Sequence, residues 1–446
     1  IRGGSATVHF PIWHQEIEDI LVLKNNKGTE DNRVRKLDYS IQISKLFYER
    51  FIKDQEISLF SPHDVPGLYD AFGTDRFDQL YLDYEQDESV PRKTIGGQNL
   101  ILSLLKERAE TGRIYIMNID HCNSHSSFKD KVNMSNLCQE ITLPTDPINH
   151  IDDEMPGEIA LCILSAINVG KVKSDHELEE LCDLSVRGLE ELIDYQEYPV
   201  RAAEVATKAR RSLGVGFIGL AHYLARLGYN YGSQEAWDAV HGLSESFQYY
   251  LLKSSNQIAK EKGHCEYFGR TKYADGILPI DTYKKEVDEI TSQELQHDWD
   301  GLRDSINQYG LRHSTLSAQM PSESSSVVSN ATNGIEPPRD YLSIKKSKKG
   351  PLKQIVPQYA TLKNNYTLLW EMPDNTGYIN VVSVMQKFFD QAISGNWSYN
   401  PENYPDNEVP VSVMAGDLLT TYKYGWKTSY YQNTYDIKTD EVVEDK

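Results

Sequence analysis

The sequence predicts an α/β protein, with strands and helices alternating along the chain as a barrel or an open sheet. Three observations carry that prediction. Residues 113–119 (R-I-Y-I-M-N-I) have the β-branched and aromatic content of a strand. Residues 158–164 (E-I-A-L-C-I-L) are a nearly continuous apolar run, which suits a strand buried on both faces beneath helices. Helical patterns lie on either side of both stretches.

In chain order, residues 1–60 read as a Gly-rich loop and then mostly helix. Within 36–52, Leu37, Ile41, Ile43, Leu46, Phe47 and Phe51 recur close to a 3.6-residue period. Pro62 and Pro66-Gly67 mark a loop, and 98–109 is a second helix ended near Thr111-Gly112. Ser174-Asp175-His176-Glu177 is a capping box. The helix behind it carries Leu178, Leu181, Leu189, Leu192 and Ile193 on one stripe, with Cys182 beside them. Residues 202–227 read as helix interrupted near Gly214-Val215-Gly216, and 234–260 as a long aromatic-rich helix.

From about residue 276 the texture shifts. Residues 287–307 predict a helix with Leu295, Trp299, Leu302 and Ile306 on one face, and 322–329 a Ser-rich loop. Lys345, Lys346, Lys348 and Lys349 before Gly350 predict a solvated hairpin. Residues 366–370 and 378–382 read as strands. Residues 413–424 read as a helix capped by Ser412 and stopped by Gly425.

The chain has 446 residues and a net charge of −20, which argues against a generic binder of nucleic acid or anionic membrane. It leaves a nucleotide ligand open, because backbone N–H groups alone can cradle a phosphate. No apolar run is long enough to span a bilayer, and no signal or anchor pattern is present. The cysteines are Cys122, Cys138, Cys162, Cys182 and Cys265, an odd and sparse set without C-x-x-C spacing that fits a reducing, cytoplasmic setting. His121, Cys122 and His125 have no second cluster to complete a metal site, so no metal is expected. Both ends look cut: the chain opens on I-R-G-G without Met and closes on an acidic stretch without a packing pattern. A piece of a longer polypeptide, or a chain that works beside another, is expected.

The chemistry gathers on S-N-L-C-Q-E at 135–140. If extended, it points Asn136, Cys138 and Glu140 to one side. That face would carry an amide to clamp, a thiol to react and a carboxylate to act as base. Taken alone, such a cysteine is more often simply core. Cys162, on the apolar run, is a second thiol, and the sequence nominates no disulfide partner for it. Pro321-Ser322-Glu323-Ser324-Ser325-Ser326 can turn N–H groups and hydroxyls toward an anion, or be an ordinary Ser-rich loop. Tyr430-Tyr431 can be packing, or a stacked pair that relays a radical to a thiol.

These features meet in one family. The chain resembles the large (catalytic, α) subunit of class I ribonucleoside-diphosphate reductase along nearly its whole length. The shared strings, in order, include I-R-G-G-S-A-T, L-F-S-P-H-D-V-P-G-L-Y-D-A-F, R-I-Y-I-M-N-I-D-H-C-N-S-H, S-N-L-C-Q-E-I-T-L-P, G-E-I-A-L-C-I-L-S-A, M-P-S-E-S-S-S, S-N-A-T-N-G-I-E-P-P-R and K-T-S-Y-Y-Q-N-T. The resemblance implies a ten-stranded α/β barrel of two five-stranded halves with a finger loop at its centre. Most of it would lie in 1–275, followed by a smaller α+β region at 276–435 and a flexible acidic tail at 436–446. It implies that Cys138 becomes a thiyl radical, that Glu140 deprotonates the 3′-hydroxyl and that Asn136 holds the substrate hydroxyls, with Leu137 and Gln139 in the same substrate loop. Cys162 would be one of the reducing pair, in a redox-active disulfide. Tyr430 and Tyr431 would be the last relay residues from a separate small (β) subunit with a dinuclear metal centre, di-iron with a tyrosyl radical. Pro321, Ser322, Glu323, Ser324 and Ser325 would bind the diphosphate, and Arg2 would lie in the loop linking allosteric ATP or dNTP effectors to substrate. The helix at 413–424 would dock the small subunit's tail.

The resemblance further implies ribonucleoside diphosphates as substrates, thioredoxin or glutaredoxin as reductant and an α dimer. The second reducing cysteine and the C-terminal cysteine pair of the family are absent from this sequence, so the expected chain is the C-terminal part of a catalytic subunit that needs an N-terminal part. The alternatives are a cobalamin-dependent or glycyl-radical reductase on the same barrel, or a degenerate nucleotide-binding scaffold. The Tyr430-Tyr431 pair favours a separate radical-generating subunit, and the presence of every mapped catalytic residue disfavours the scaffold.

Overall fold

The structure is a computed structural model that describes residues 4–151, 157–347, 350–436 and 443–444. Its first sheet runs Thr7–Pro11, Asp38–Ile43, Ile114–Asn118 and Thr428–Ser429; the first three are parallel and the last antiparallel to Ile114–Asn118. A second ladder pairs Ile163–Asn168 in parallel with Leu213–Ile218. Single bridges extend it, Val215 to Ser317 and Gln319 to Ile393. Segments from both sides of residue 276 therefore share one ladder and one hydrophobic core. The α/β class is as expected. Among the described residues, however, the hydrogen-bonded strands form separate sheets and not one closed ring of ten.

Helices cover these strands. Asp175–Tyr195 starts as expected: Ser174 Oγ accepts from Glu177 N, and Glu177 returns a bond to Lys173 N. Such a cap is worth about 1 kcal/mol. Its stripe is buried at Leu178, Cys182, Leu189 and Ile193, but Leu192 faces solvent. Gln234–Lys262 packs between this helix and Thr376–Gln386. Gly97–Thr111 ends at Gly112 as expected. No helix among the described residues is long and apolar enough to cross a membrane.

Several elements differ from expectation. Residues 36–52 hold a strand, Asp38–Ile43, before the helix Lys45–Ile52. The strand, D-Y-S-I-Q-I, alternates polar and apolar residues, but its apolar positions also fit the helical period of the residues that follow, and it is buried on both faces from Tyr39 on. Residues 202–227 are helix Arg201–Arg210, strand Leu213–Ile218 and helix Leu220–Leu227. Residues 378–382 lie in the helix Thr376–Gln386, buried all round from Gly377 on, and its β-branched content mimics a strand. Residues 366–370 hold only a 3-10 turn at Leu369–Glu371. The helix expected at 287–307 is Trp299–Tyr309, with exposed Leu295 outside it.

Glu323–Ser329 is helical, and the strand predicted at 158–164 begins only at Ile163. The helix near 413–424 is Val411–Lys423, capped at Pro410 and not Ser412, and Gly425 follows it at φ +83°. The lysine hairpin pairs Leu342–Ser347 with Gly350–Ile355; Lys348 and Lys349 lie outside the described residues. Of the tail expected to be flexible, Val443–Glu444 pairs with Lys345 and Lys346; 437–442 and 445–446 lie outside the described residues.

A buried charge cluster ties the two regions that carry the thiols. Arg210 Nε lies 2.5 Å from Glu158, and its Nη2 2.9 Å from Asp130. Arg270 meets the same two carboxylates. Asp130 precedes the S-N-L-C-Q-E stretch and Glu158 precedes Cys162, so this cluster sets the spacing of their supports.

Candidate active site

Residues 136–140 form a tight turn and not the extended segment expected. Gln139 takes φ +70°, which reverses the chain and breaks the alternation that would align Asn136, Cys138 and Glu140. The reversal is held from behind. The fully buried Gln139 side chain accepts from Ser40 Oγ at 2.8 Å and donates to Asn136 O at 2.9 Å. Each carbonyl of the turn then meets a donor from elsewhere. Thr7 Oγ1 donates to Leu137 O (3.1 Å), Ser394 Oγ to Cys138 O (2.5 Å), Thr428 Oγ1 to Gln139 O (2.7 Å) and Ala392 N to Glu140 O (3.0 Å). The scaffold grips the backbone and leaves the Cys138 thiol free to react.

Cys138 and Glu140 still come together, by the turn and not by strand geometry. Burial, and then the Glu140 charge, push the Cys138 thiol up to about 11. Burial also raises the Glu140 carboxyl; hydrogen bonds from Asn136 and Ser394 act against that rise. Asn136 Oδ1 accepts from Ile141 N at 3.1 Å, so this amide braces the turn as well.

The C-terminal segment brings the tyrosines. Tyr430 OH donates to Cys138 Sγ at 3.5 Å. Its ring stacks on Tyr431 with centroids 3.8 Å apart, and Tyr115 lies 4.9 Å from Tyr430. Arg113 donates to Tyr431 OH at 3.1 Å and covers its ring. Buried Arg108 donates to the carbonyls of Ile114 (2.5 Å), Tyr430 (2.7 Å) and Tyr431 (3.3 Å), which fixes the backbone of the pair. Burial raises the Tyr430 phenol strongly. Phenol and thiol both keep their protons at neutral pH. That suits hydrogen-atom transfer between O–H and S–H better than thiolate chemistry.

Cys162 lies just before its strand. Gln391 Nε2 is 3.8 Å from its sulfur and 2.8 Å from Leu213 O, while Gln391 Oε1 accepts from Thr142 N at 3.3 Å. One amide thus links the second thiol to the stem of the turn. Burial raises the Cys162 thiol. A Cβ on Gly214 would lie 2.8 Å from Cys162 Sγ, so the absent side chain makes room for the thiol. All five cysteines are unbridged.

The Ser-rich segment stands near the turn along the ladder. Gln319 N donates to Ala392 O, whose own N–H holds Glu140 O, and Pro321 follows two residues on. Ser322 then precedes the helix Glu323–Ser329 and turns its hydroxyl to Met320 O. Arg2 lies outside the described residues. His121 faces Trp426 O, Cys122 faces Lys427 O, and His125 sits between Thr282 and Gln386. Among the described residues no group of three or more His, Cys, Asp or Glu is gathered to hold a metal.

Sequence reading missed Thr7, Ser394, Gln391 and Thr428, which hold the turn, and Arg108 and Lys427, which hold the C-terminal segment. Lys427 Nζ is enclosed by the carbonyls of Asp390 (2.9 Å) and Gln391 (3.0 Å), and burial lowers it to about 7. Thr428 and Lys427 sit beside the tyrosines in K-T-S-Y-Y, and that adjacency is their one signal in the sequence. The others are single polar residues with no local pattern.

Fold and site together define an α/β protein with a thiol–carboxylate turn at its centre and a tyrosine stack leading to it. The chain belongs to the ribonucleotide reductase family, whose barrel domain matches residues 1–432. It is 57% identical over 450 residues to the ribonucleoside-diphosphate reductase subunit alpha of Haemophilus influenzae, covering 100% of this chain and 59% of that protein. The Escherichia coli reductase 1 subunit alpha is 55% identical, covering 99% of this chain and 58% of its own length. The subunit alpha of phage T4 is 44% identical, covering 98% and 58%. The chain therefore spans a little under three fifths of these relatives.

Proposed function

We propose that the chain carries the radical chemistry of ribonucleoside-diphosphate reduction, a step in making DNA precursors in the cytoplasm. The observation that supports this most is Cys138, with the Tyr430 phenol 3.5 Å from its sulfur and the Glu140 carboxyl in the same turn. In this reading the Cys138 thiyl takes the 3′ hydrogen of the ribose, and Glu140 takes the 3′-hydroxyl proton. Asn136 holds the hydroxyls, with Leu137 and Gln139 shaping the loop. The 2′-hydroxyl leaves as water. Two thiols supply two electrons and become a disulfide, and Cys138 returns its hydrogen to the 3′ carbon of the product radical, which restores the thiyl.

Cys162 is one of those two thiols. The other comes from an N-terminal part of the catalytic subunit, with thioredoxin or glutaredoxin restoring the pair. Residues 321–325 hold the diphosphate at the start of the helix Glu323–Ser329, whose N-terminus favours anions. Tyr431 and Tyr430 relay the radical from a small subunit with a dinuclear metal centre, whose tail docks on the helix Val411–Lys423. Arg2 belongs to the allosteric link to ATP and dNTP effectors. The subunit works as an α dimer on a ten-stranded barrel.

The test is reduction of cytidine diphosphate by this chain with the small subunit, reductant and N-terminal part. Deoxycytidine diphosphate formed by this mixture and lost in Cys138→Ala supports the reading. Full turnover by Cys138→Ser would leave a nucleotide-binding scaffold as the better account.

A further inference from the structure

Ser394 carries one hydroxyl that faces two acceptors. Its Oγ is 2.5 Å from the carbonyl oxygen of Cys138 and 3.2 Å from Oε2 of Glu140. The residue is buried, and its backbone N–H is fixed to Gln319 O at 2.9 Å, so the side chain has little freedom. A serine hydroxyl donates one proton and accepts through two lone pairs. When Glu140 is ionised, the carboxylate is the stronger acceptor for that proton. When Glu140 is protonated, its own O–H can donate to Oγ, and the serine proton is free to serve the Cys138 carbonyl. The single serine proton therefore serves the carboxylate in one state of the acid and the Cys138 carbonyl in the other.

We infer that Ser394 is a positioning residue that holds Glu140 through both of its protonation states and, by the Cys138 carbonyl, keeps the carboxyl in register with the thiol. The inference rests on the reading of Glu140 as general base. A base that must take and return a proton needs a neighbour that fits both forms, and Ser394 is placed to be one.

The groups facing Glu140 are the Cys138 thiol in its own turn, the Cys162 thiol ahead of Ile163–Asn168 and, behind Cys138, the Tyr430 phenol. Asp38 and Arg113 act on Cys138, and Asp390 acts on Cys162. His9 stands beside Ser135 at the neck of the turn, and burial lowers it to about 4. Burial raises both thiols and the phenol.

The experiment uses the complete mixture named above and, separately, the chain alone. In the mixture, the pH profile of kcat/KM is compared for the unsubstituted chain, Ser394→Ala, Ser394→Thr and His9→Phe. In the chain alone, infrared titration follows the protonated-carboxyl band that Glu140→Gln removes. Loss of a hydrogen bond to the charged form should move the Ser394→Ala midpoint up by about one pH unit in both readouts. Ser394→Thr and His9→Phe should leave it in place. An unmoved infrared midpoint in Ser394→Ala overturns the inference even if the rate falls. Absence of nucleotide reduction by the unsubstituted mixture overturns the general-base reading instead, while the infrared result still decides the placement of Ser394. Ser394→Cys, similar in size but a weak donor, repeats the test if the alanine variant does not fold.

Discussion

The phenol of Tyr430 donates to the sulfur of Cys138 across 3.5 Å, although 292 residues separate them in the chain. The contact joins the turn to the segment that follows the helix Val411–Lys423. It is an O–H aimed at an S–H, both kept protonated by burial. Tyr430→Phe keeps the ring stack with Tyr115 and Tyr431 and deletes only that O–H. The variant should keep its Tm and lose nucleotide reduction by about 100-fold or more, the scale of losing a positioned proton carrier. A calorimetric scan and a turnover assay together check this, and full turnover would remove Tyr430 from the relay.

Cys138 should be a slow nucleophile. Its thiol is held at about 11 by burial and by the Glu140 charge. Alkylation by iodoacetamide, followed by peptide mass against pH, should rise only well above neutral. Glu140→Gln removes a negative neighbour and should bring that midpoint down. A midpoint near an ordinary thiol's in the unsubstituted chain would contradict the enclosed environment.

Lys427 gives stability a pH dependence of known sign. Its folded value is about 7 against an ordinary 10.5. Between those values the unfolded chain binds the extra proton, so folding stability rises with pH, by at most about 1.4 kcal/mol per unit. Thiol ionisation works in the opposite direction above about 8.5, so the clean window is pH 7 to 8.5. Urea melts across that window should show the rise in the unsubstituted chain. Lys427→Met, less stable throughout for want of its hydrogen bonds to carbonyls, should show a flatter line.

Arg210 is 3% exposed in its side chain and serves both Glu158 and Asp130. Arg210→Met leaves Glu158 and Asp130 with Arg270 as their remaining cation and should cost about 2 kcal/mol, less than a fully broken buried pair. Denaturant melts measure the loss. Limited proteolysis should open near 128–132 and 157–162 before the rest. A change below about 0.5 kcal/mol would mean that the cluster is a solvated surface network.

Legibility in the sequence followed burial. Helices with one wet face, such as Gln234–Lys262 and Asp175–Tyr195, kept their period and were readable, as was the Ser174 cap. Elements buried on all sides were not. The apolar positions of Asp38–Ile43 also fit a helical period shared with Lys45–Ile52, and Thr376–Gln386, buried all round and rich in Ile and Val, has a strand's composition. In the site, Cys138, Glu140 and Tyr430 stand out by their chemistry, but their mutual arrangement is not legible in the sequence. One left-handed residue, Gln139, turns the chain where an extended segment would alternate. Ser394 and Gln391 were beyond reach, because their importance is purely positional and neither carries a local signature.

The grip on the four carbonyls from Leu137 to Glu140 separates shape from reactivity. The path of the turn is dictated by its surroundings, so the reacting atom at position 138 is interchangeable in principle. A selenol in place of the thiol would inherit the same address, facing the same phenol. The turn is thus a mount into which different reactive heads can be fitted, which makes this chain a scaffold for comparing hydrogen donors at fixed geometry.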